Sequence, residues 1–140
     1  MGWQSASSVA AALAEATRRW PDRSRASDGT IGDTAHAAKP SDHNPDAHGT
    51  VHAFDLTNDP SHGVDCSLLA EHLINQRDVR VKYIIFNKRI CNSTNWSWQP
   101  YKGSNPHDKH MHVSIHSTKA AENDTSDWWA NCDEVQPIAE

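Results

Sequence analysis

His110-Met111-His112-Val113-Ser114-Ile115-His116 alternates without a break between polar and apolar residues. A period of two is that of a strand with one face in a core and the other accessible. Met111, Val113 and Ile115 therefore point inward, and His110, His112, Ser114 and His116 share the opposite face. Two steps along a strand span about 7 Å, so His110 and His112 stand side by side. Imidazoles on the accessible face of a rigid strand are where chemistry is expected.

Moving outward, residues 51–56 also alternate in the manner of a half-buried strand and carry Asp55. Residues 79–90, with Val81, Tyr83, Ile84, Ile85 and Phe86, have the strongest strand composition in the chain. Residues 7–20 form an alanine-rich run with Val9, Leu13 and Trp20 near helical spacing, stopped by Pro21. A turn at 60–65 precedes a second helix, capped by Asp65 or Ser67 and running to about Gln76, with Leu68, Leu69, His72 and Leu73 on one face. The stretch 22–50 is rich in Asp, Gly, Ser, Pro and His and has no period, so it reads as loop. A long polar loop holding Trp96, Trp98 and Tyr101 follows the central strand, and Trp128-Trp129 is placed to dock back on the core. From Asp133 the chain reads as a tail or the start of a linker. The order helix, strand, helix, strand, strand predicts one α+β domain over residues 1–140, with a small, mainly antiparallel sheet and flanking helices.

Composition narrows the function. The 140 residues are 36% hydrophobic, with a formal net charge of −5 and a mean hydropathy of −0.76. An acidic balance argues against a protein that coats nucleic acid or anionic lipid. No apolar run approaches the ~20 residues of a bilayer span, so membrane insertion is not expected, and nothing suggests more than a monomer. The first residues lack the basic and apolar segments of a secretory signal. Cys66, Cys91 and Cys132 stand far apart with no Cys-x-x-Cys pair, which favours free thiols over a disulfide framework or a structural zinc site. The unusual number is ten histidines, several of them in the stretches 36–62 and 107–116.

Zinc binds imidazole nitrogen and carboxylate oxygen, and a catalytic site uses three protein ligands and one open position. Asp55 on one strand and His110 and His112 on another supply such donors, and His43 in the preceding loop is the third candidate. Taken singly, each of these side chains would be an ordinary surface residue. The joint presence of Ser-x-His, Ala-x-Asp and His-x-His is what points to a metal.

Those three motifs, Ser41-Asp42-His43, Ala53-Phe54-Asp55 and His110-Met111-His112-Val113-Ser114, resemble the zinc site of the D-alanyl-D-alanine carboxypeptidases and L-alanoyl-D-glutamate endopeptidases, which share a fold with the hedgehog signalling domain. The stretch 41–59, the strand Tyr83-Ile84-Ile85-Phe86-Asn87 and the run Asn105-Pro106-His107-Asp108-Lys109-His110-Met111-His112 are also similar to the catalytic domain of lysins from phages of actinobacteria. The resemblance covers residues 8–117. It implies a hedgehog/DD-peptidase-like fold and zinc held by His43, Asp55 and His112. It further implies peptidoglycan stem peptides as substrate, cut by an enzyme made in the host cytoplasm that acts on the cell wall. The family places its first His seven residues before the Asp, with a glycine between. Here His43 is twelve before Asp55, whereas His48, followed by Gly49, is seven before. His43 is preferred for its Ser-x-His context, with His48 as the rival ligand.

Relatives move protons with an acidic residue three before the last ligand or with the first His of His-x-His. Lys109 occupies the former position, so His110 is the expected catalytic residue, as base or as stabiliser of the oxyanion. His107 takes a supporting part, and Asp108 is the weaker candidate base. Ser41, Arg23 and Arg25 are candidates for substrate binding, the arginines because stem peptides carry carboxylates. Alternatives are a D-Ala-D-Ala carboxypeptidase, an amidase, or a non-catalytic zinc-containing binding module. A histidine-metal nuclease is disfavoured by the charge balance.

Overall fold

The computed structural model describes residues 4–30, 42–103 and 105–130. Ser41, Cys132 and the tail from Asp133 lie outside the described residues.

The decisive strand forms where alternation predicts it. β7 (His110–Ile115) lies second in a five-stranded sheet of order β3-β7-β4-β5-β6. The other strands are β3 (Ala53–Thr57), β4 (Val81–Phe86), β5 (Arg89–Asn92) and β6 (Ser97–Pro100). All four pairings are antiparallel, so the chain is α+β with an antiparallel sheet. Met111, Val113 and Ile115 are buried on the core face together with Phe54, Leu56 and Ile84.

Two helices cover that face. α1 (Ser7–Arg19) ends just before Pro21 and buries Val9, Ala12 and Ala16. α2 (Cys66–Gln76) is capped by Asp65, whose side chain accepts hydrogen bonds from the Ser67 and Leu68 amides, satisfying two donors that every helix start leaves open. Its buried residues Cys66, Leu69, Ala70 and Leu73 follow the spacing i, i+3, i+4, i+7. Leu68, expected on the buried face, lies one step off that stripe and is exposed. Trp128 and Trp129 do return to the core. Both are fully buried, and their backbone amides donate to the two oxygens of the buried Glu15 at 2.6 and 3.0 Å. Cys66 and Cys91 are buried free thiols, and burial pushes that of Cys66 up to about 12.

Three expectations need correction. The single strand over 79–90 is a hairpin, with Asn87 and Lys88 at φ 53° and 66° between β4 and β5. Two successive positive φ values make the tight turn whose twist suits paired strands. Asn tolerates that conformation, but Lys gives no warning of it. Residues 51–56 split at His52. Val51 belongs to β2 (Thr50–Val51), which pairs in parallel with β1 (Gln4–Ser5), and only residues from Ala53 join the large sheet. Finally, Ser97–Pro100 is a strand and Lys119–Asn123 a short helix, α3, capped by the Thr118 side chain. The first falls in the stretch expected to be a long polar loop, and each element is too short to show a period. No helix among the described residues is long and apolar enough to cross a membrane.

Candidate metal centre

Antiparallel register sets Asp55 of β3 directly opposite His112 of β7, and Thr57 opposite His110. Directly opposed residues share a face, so the Asp55 carboxylate and the His112 ring meet on the side away from the core. The edge of β3 next to Asp55 is closed by the segment before it. The Asp55 amide donates to the Gly29 carbonyl at 2.7 Å, and the Gly29 amide to the Asp55 carbonyl at 3.2 Å. Over this edge the loop 42–49 brings in His43, which is buried.

The three donors converge. His43 Nε2 is 3.2 Å from Asp55 Oδ1 and 3.0 Å from His112 Nδ1, and His112 Nδ1 is 3.2 Å from Asp55 Oδ1. Ligands ~2.0–2.2 Å from a tetrahedral zinc stand about 3.3–3.6 Å from one another, close to this nearly equilateral triangle. The outer nitrogens are engaged elsewhere. His43 Nδ1 lies 2.9 Å from the Thr30 carbonyl, which can only accept, so the proton sits on Nδ1 and Nε2 turns a lone pair toward the carboxylate. His112 Nε2 is 2.8 Å from Ser114 Oγ. A lone pair facing a carboxylate oxygen needs a shared proton or a cation between them. The donor set fits a divalent metal, and anchored outer nitrogens are the usual companions of ligating imidazoles.

Electrostatics agree. Burial would raise the Asp55 carboxyl, but hydrogen bonds and charge from His112 and His43 outweigh it and hold the group well below the usual carboxylate range. Burial would likewise lower His43, yet its Asp55 partner raises it. For His112, which is more deeply buried, desolvation wins over the same carboxylate and the pKa is lowered. The His112 ring is also clamped, stacked on Tyr83 with centroids 5.5 Å apart and met edge-on by His43 at 4.7 Å.

His110 stands beside the triangle. Its Nε2 is 3.6 Å from Asp55 Oδ2, too long for a hydrogen bond, and its buried Nδ1 has no hydrogen-bond partner among the described residues. His107 approaches from the other side, its ring 5.1 Å from that of His110 and 5.6 Å from that of His112. Its backbone has φ 54°, and Nδ1 donates to the Asn105 carbonyl at 2.8 Å, leaving Nε2 as acceptor. Burial, with the His112 and His110 charges, pushes its pKa down to about 4.

The remaining candidates separate. His48 is exposed, and among the described residues its hydrogen bond is that of its backbone amide to Asp46. Asp108 and Lys109 are exposed. Arg23, a candidate for substrate binding, is engaged within the chain. Its buried guanidinium grips Asp28 through two bonds of 3.0 and 2.8 Å and also donates to Thr17 Oγ1 and the Ser24 carbonyl. Asp28 in turn accepts from the Thr57 amide and hydroxyl, so the Arg23 fork fastens the segment 22–30 to β3. Arg25 is exposed on that segment. Sequence reasoning gave no role to Thr30 or Tyr83. Ser114 was visible as the next residue on the His112 face, whereas no local signal marks Thr30.

Comparison with protein-family models, with curated proteins and with solved structures finds no match for this chain.

Proposed function

We propose that the chain is a zinc peptidase of the D-alanyl-D-alanine carboxypeptidase and L-alanoyl-D-glutamate endopeptidase kind, with a hedgehog/DD-peptidase-like fold, cutting the stem peptides of peptidoglycan. The observation that carries this reading is the convergence of His43 Nε2, Asp55 Oδ1 and His112 Nδ1 within 3.2 Å of one another, with a further imidazole, His110, alongside. Zinc bound there supplies a Lewis acid for the scissile carbonyl and lowers the pKa of its water to ~7. The chain's own groups supply the rest. Asp55 contributes negative charge through Oδ1 and turns Oδ2 toward His110. His110 Nε2 takes and returns a proton at the reacting centre, a task for which an imidazole suits neutral pH. His107, held neutral near pH 7, presents Nε2 as an acceptor beside His110.

The test is digestion of purified cell wall by the wild type, His112→Ala and His110→Ala, with mass analysis of released fragments and metal content measured in parallel. The wild type releases peptide fragments and His112→Ala releases none. His110→Ala keeps zinc and loses about 10²–10⁴-fold in rate. Equal digestion by the wild type and His112→Ala would sink the peptidase reading.

A further inference from the structure

One residue of β4 breaks the alternation that orders the sheet. Val81 pairs with Ile115 and Tyr83 with Ser114, so β4 takes two steps where β7 takes one, and Lys82 is the extra residue of a bulge. A bulge re-aims the side chain at its position. Val81 and Ile115 are buried in the core, whereas Lys82 lies with Tyr83 on the side of the triad. Its Nζ sits over the Tyr83 ring, 5.7 Å from the centroid, and that ring is stacked on His112. One aromatic ring separates an ammonium from His112.

The ammonium has room for a ligand. Its hydrogen bonds go to a single carboxylate, with Nζ 3.1 Å from Asp42 Oδ2 and 3.5 Å from Oδ1, and 47% of the Lys82 side chain is accessible. An ammonium carries three donors, so it can take a second acceptor without losing the first. Asp42 is fixed in its turn, because its carbonyl accepts from the His52 amide. The pair therefore stands beside His43, held from the loop and from the sheet at once. Arg23 offers no such group, since it is buried and its fork is taken by Asp28.

We infer that Lys82 is a specificity-determining residue whose ammonium binds a free carboxylate of the substrate, two or three residues from the bond that is cut. The inference rests on the peptidase reading for its substrate, and stem peptides carry such carboxylates. The gap across one ring is on the order of 10 Å, which two or three extended residues span at ~3.3 Å each. An ammonium–carboxylate hydrogen bond is about twice as strong as a neutral one. Asp42 holds the ammonium in place, and its own negative charge opposes the incoming one.

The experiment compares the zinc-loaded wild type with Lys82→Met, Lys82→Arg and Asp42→Asn. The substrates are soluble stem peptides with each carboxylate amidated in turn. For the wild type, amidation of one carboxylate raises KM about tenfold. Lys82→Met raises KM by the same factor on the free peptide only, with kcat and zinc content kept, and Lys82→Arg restores the preference. Asp42→Asn, which breaks the same pair from its other side, does not reproduce this selective loss. A wild type indifferent to amidation overturns the inference. So does a rise in KM for Lys82→Met that is equal on free and amidated peptides, or one that Asp42→Asn copies, because Lys82 is then only a tie for the loop 42–49. Calorimetric titration with the same peptides reads binding without turnover. If the wild type binds the free carboxylate selectively, Lys82→Met does not, and no peptide is cut, the carboxylate site stands and the peptidase reading falls.

Discussion

Among the described residues, two groups gather three histidine and carboxylate donors, and they are built differently. In the first, His43, Asp55 and His112 aim one atom each at a common point, and the outer nitrogens of both rings are anchored by Thr30 and Ser114. In the second, the buried ring of His52 lies between two carboxylates, with Nε2 2.6 Å from Glu122 and Nδ1 3.9 Å from Asp46. Its two nitrogens face different acids, and the close contact with Glu122 is already a short hydrogen bond. Asp46 is otherwise occupied in its own turn, where Oδ1 accepts from the His48 and Thr50 amides. Residue types are nearly the same in the two clusters. Both groups bring one donor atom per residue within 4.8 Å and could hold a metal ion, but the first is the tighter triangle, and in the second the closest contact is already a hydrogen bond that clasps His52 to Glu122. The clasp has a use for the centre, because Asp46 sits in the loop that carries His43, and the His52 amide donates to the Asp42 carbonyl next to it.

The comparison is most exposed to a change in the triad. His43→Ala removes a converging donor and is expected to weaken zinc binding by about a thousandfold or more, whereas His48→Ala leaves it unchanged. Metal content after dialysis checks both, and loss of zinc only in the second variant would break the assignment. In the clasp, Glu122→Ala leaves a buried imidazole N–H without its acceptor. The expected cost is about 1–3 kcal/mol of stability in denaturant titration, with one zinc per chain before and after. If the wild type held two ions and this variant one, the second cluster would be a metal site as well.

Acidity sharpens the contrast further. In the metal-free chain, the Asp55 partner raises the His43 pKa above that of a free imidazole. The raised pKa stabilises the metal-free fold below ~6.5, and that contribution is lost as pH rises through the folded value. Zinc bound by His43 would have to displace the same proton. Apparent zinc affinity is therefore expected to start falling at or above pH 6.5 and to drop about tenfold per pH unit below it for each proton displaced. A competition titration with a chelator from pH 5 to 8 measures this, and a flat profile would remove His43 from the coordination sphere.

Much of the site was legible because strands impose a simple rule. Alternation in 110–116 was enough to place Met111, Val113 and Ile115 in the core and His112 and Ser114 on the working face. Asp55 was legible for the same reason. His43 was harder, since loops have no period and the choice against His48 turned on motif context. What the sequence did not reveal were contacts between remote segments: Thr30 on the His43 ring, Asp28 taking up the Arg23 fork, and Glu15 capturing the Trp128 and Trp129 amides. The β4–β5 hairpin stayed hidden because its turn uses Lys88 where a glycine would have announced it.

By itself, the sequence determined the periodic elements, the face each strand presents and the kind of donor available, all of which follow from local backbone geometry. The tertiary structure alone decided which donors meet. Strand order put β3 beside β7 and so set Asp55 opposite His112. Closure of loop 42–49 over the β3 edge brought His43 within 3.0 Å of His112. The same register put Ile85 of β4 beside His112. Convergence within a few ångströms depends on long-range pairing, and no local pattern encodes it.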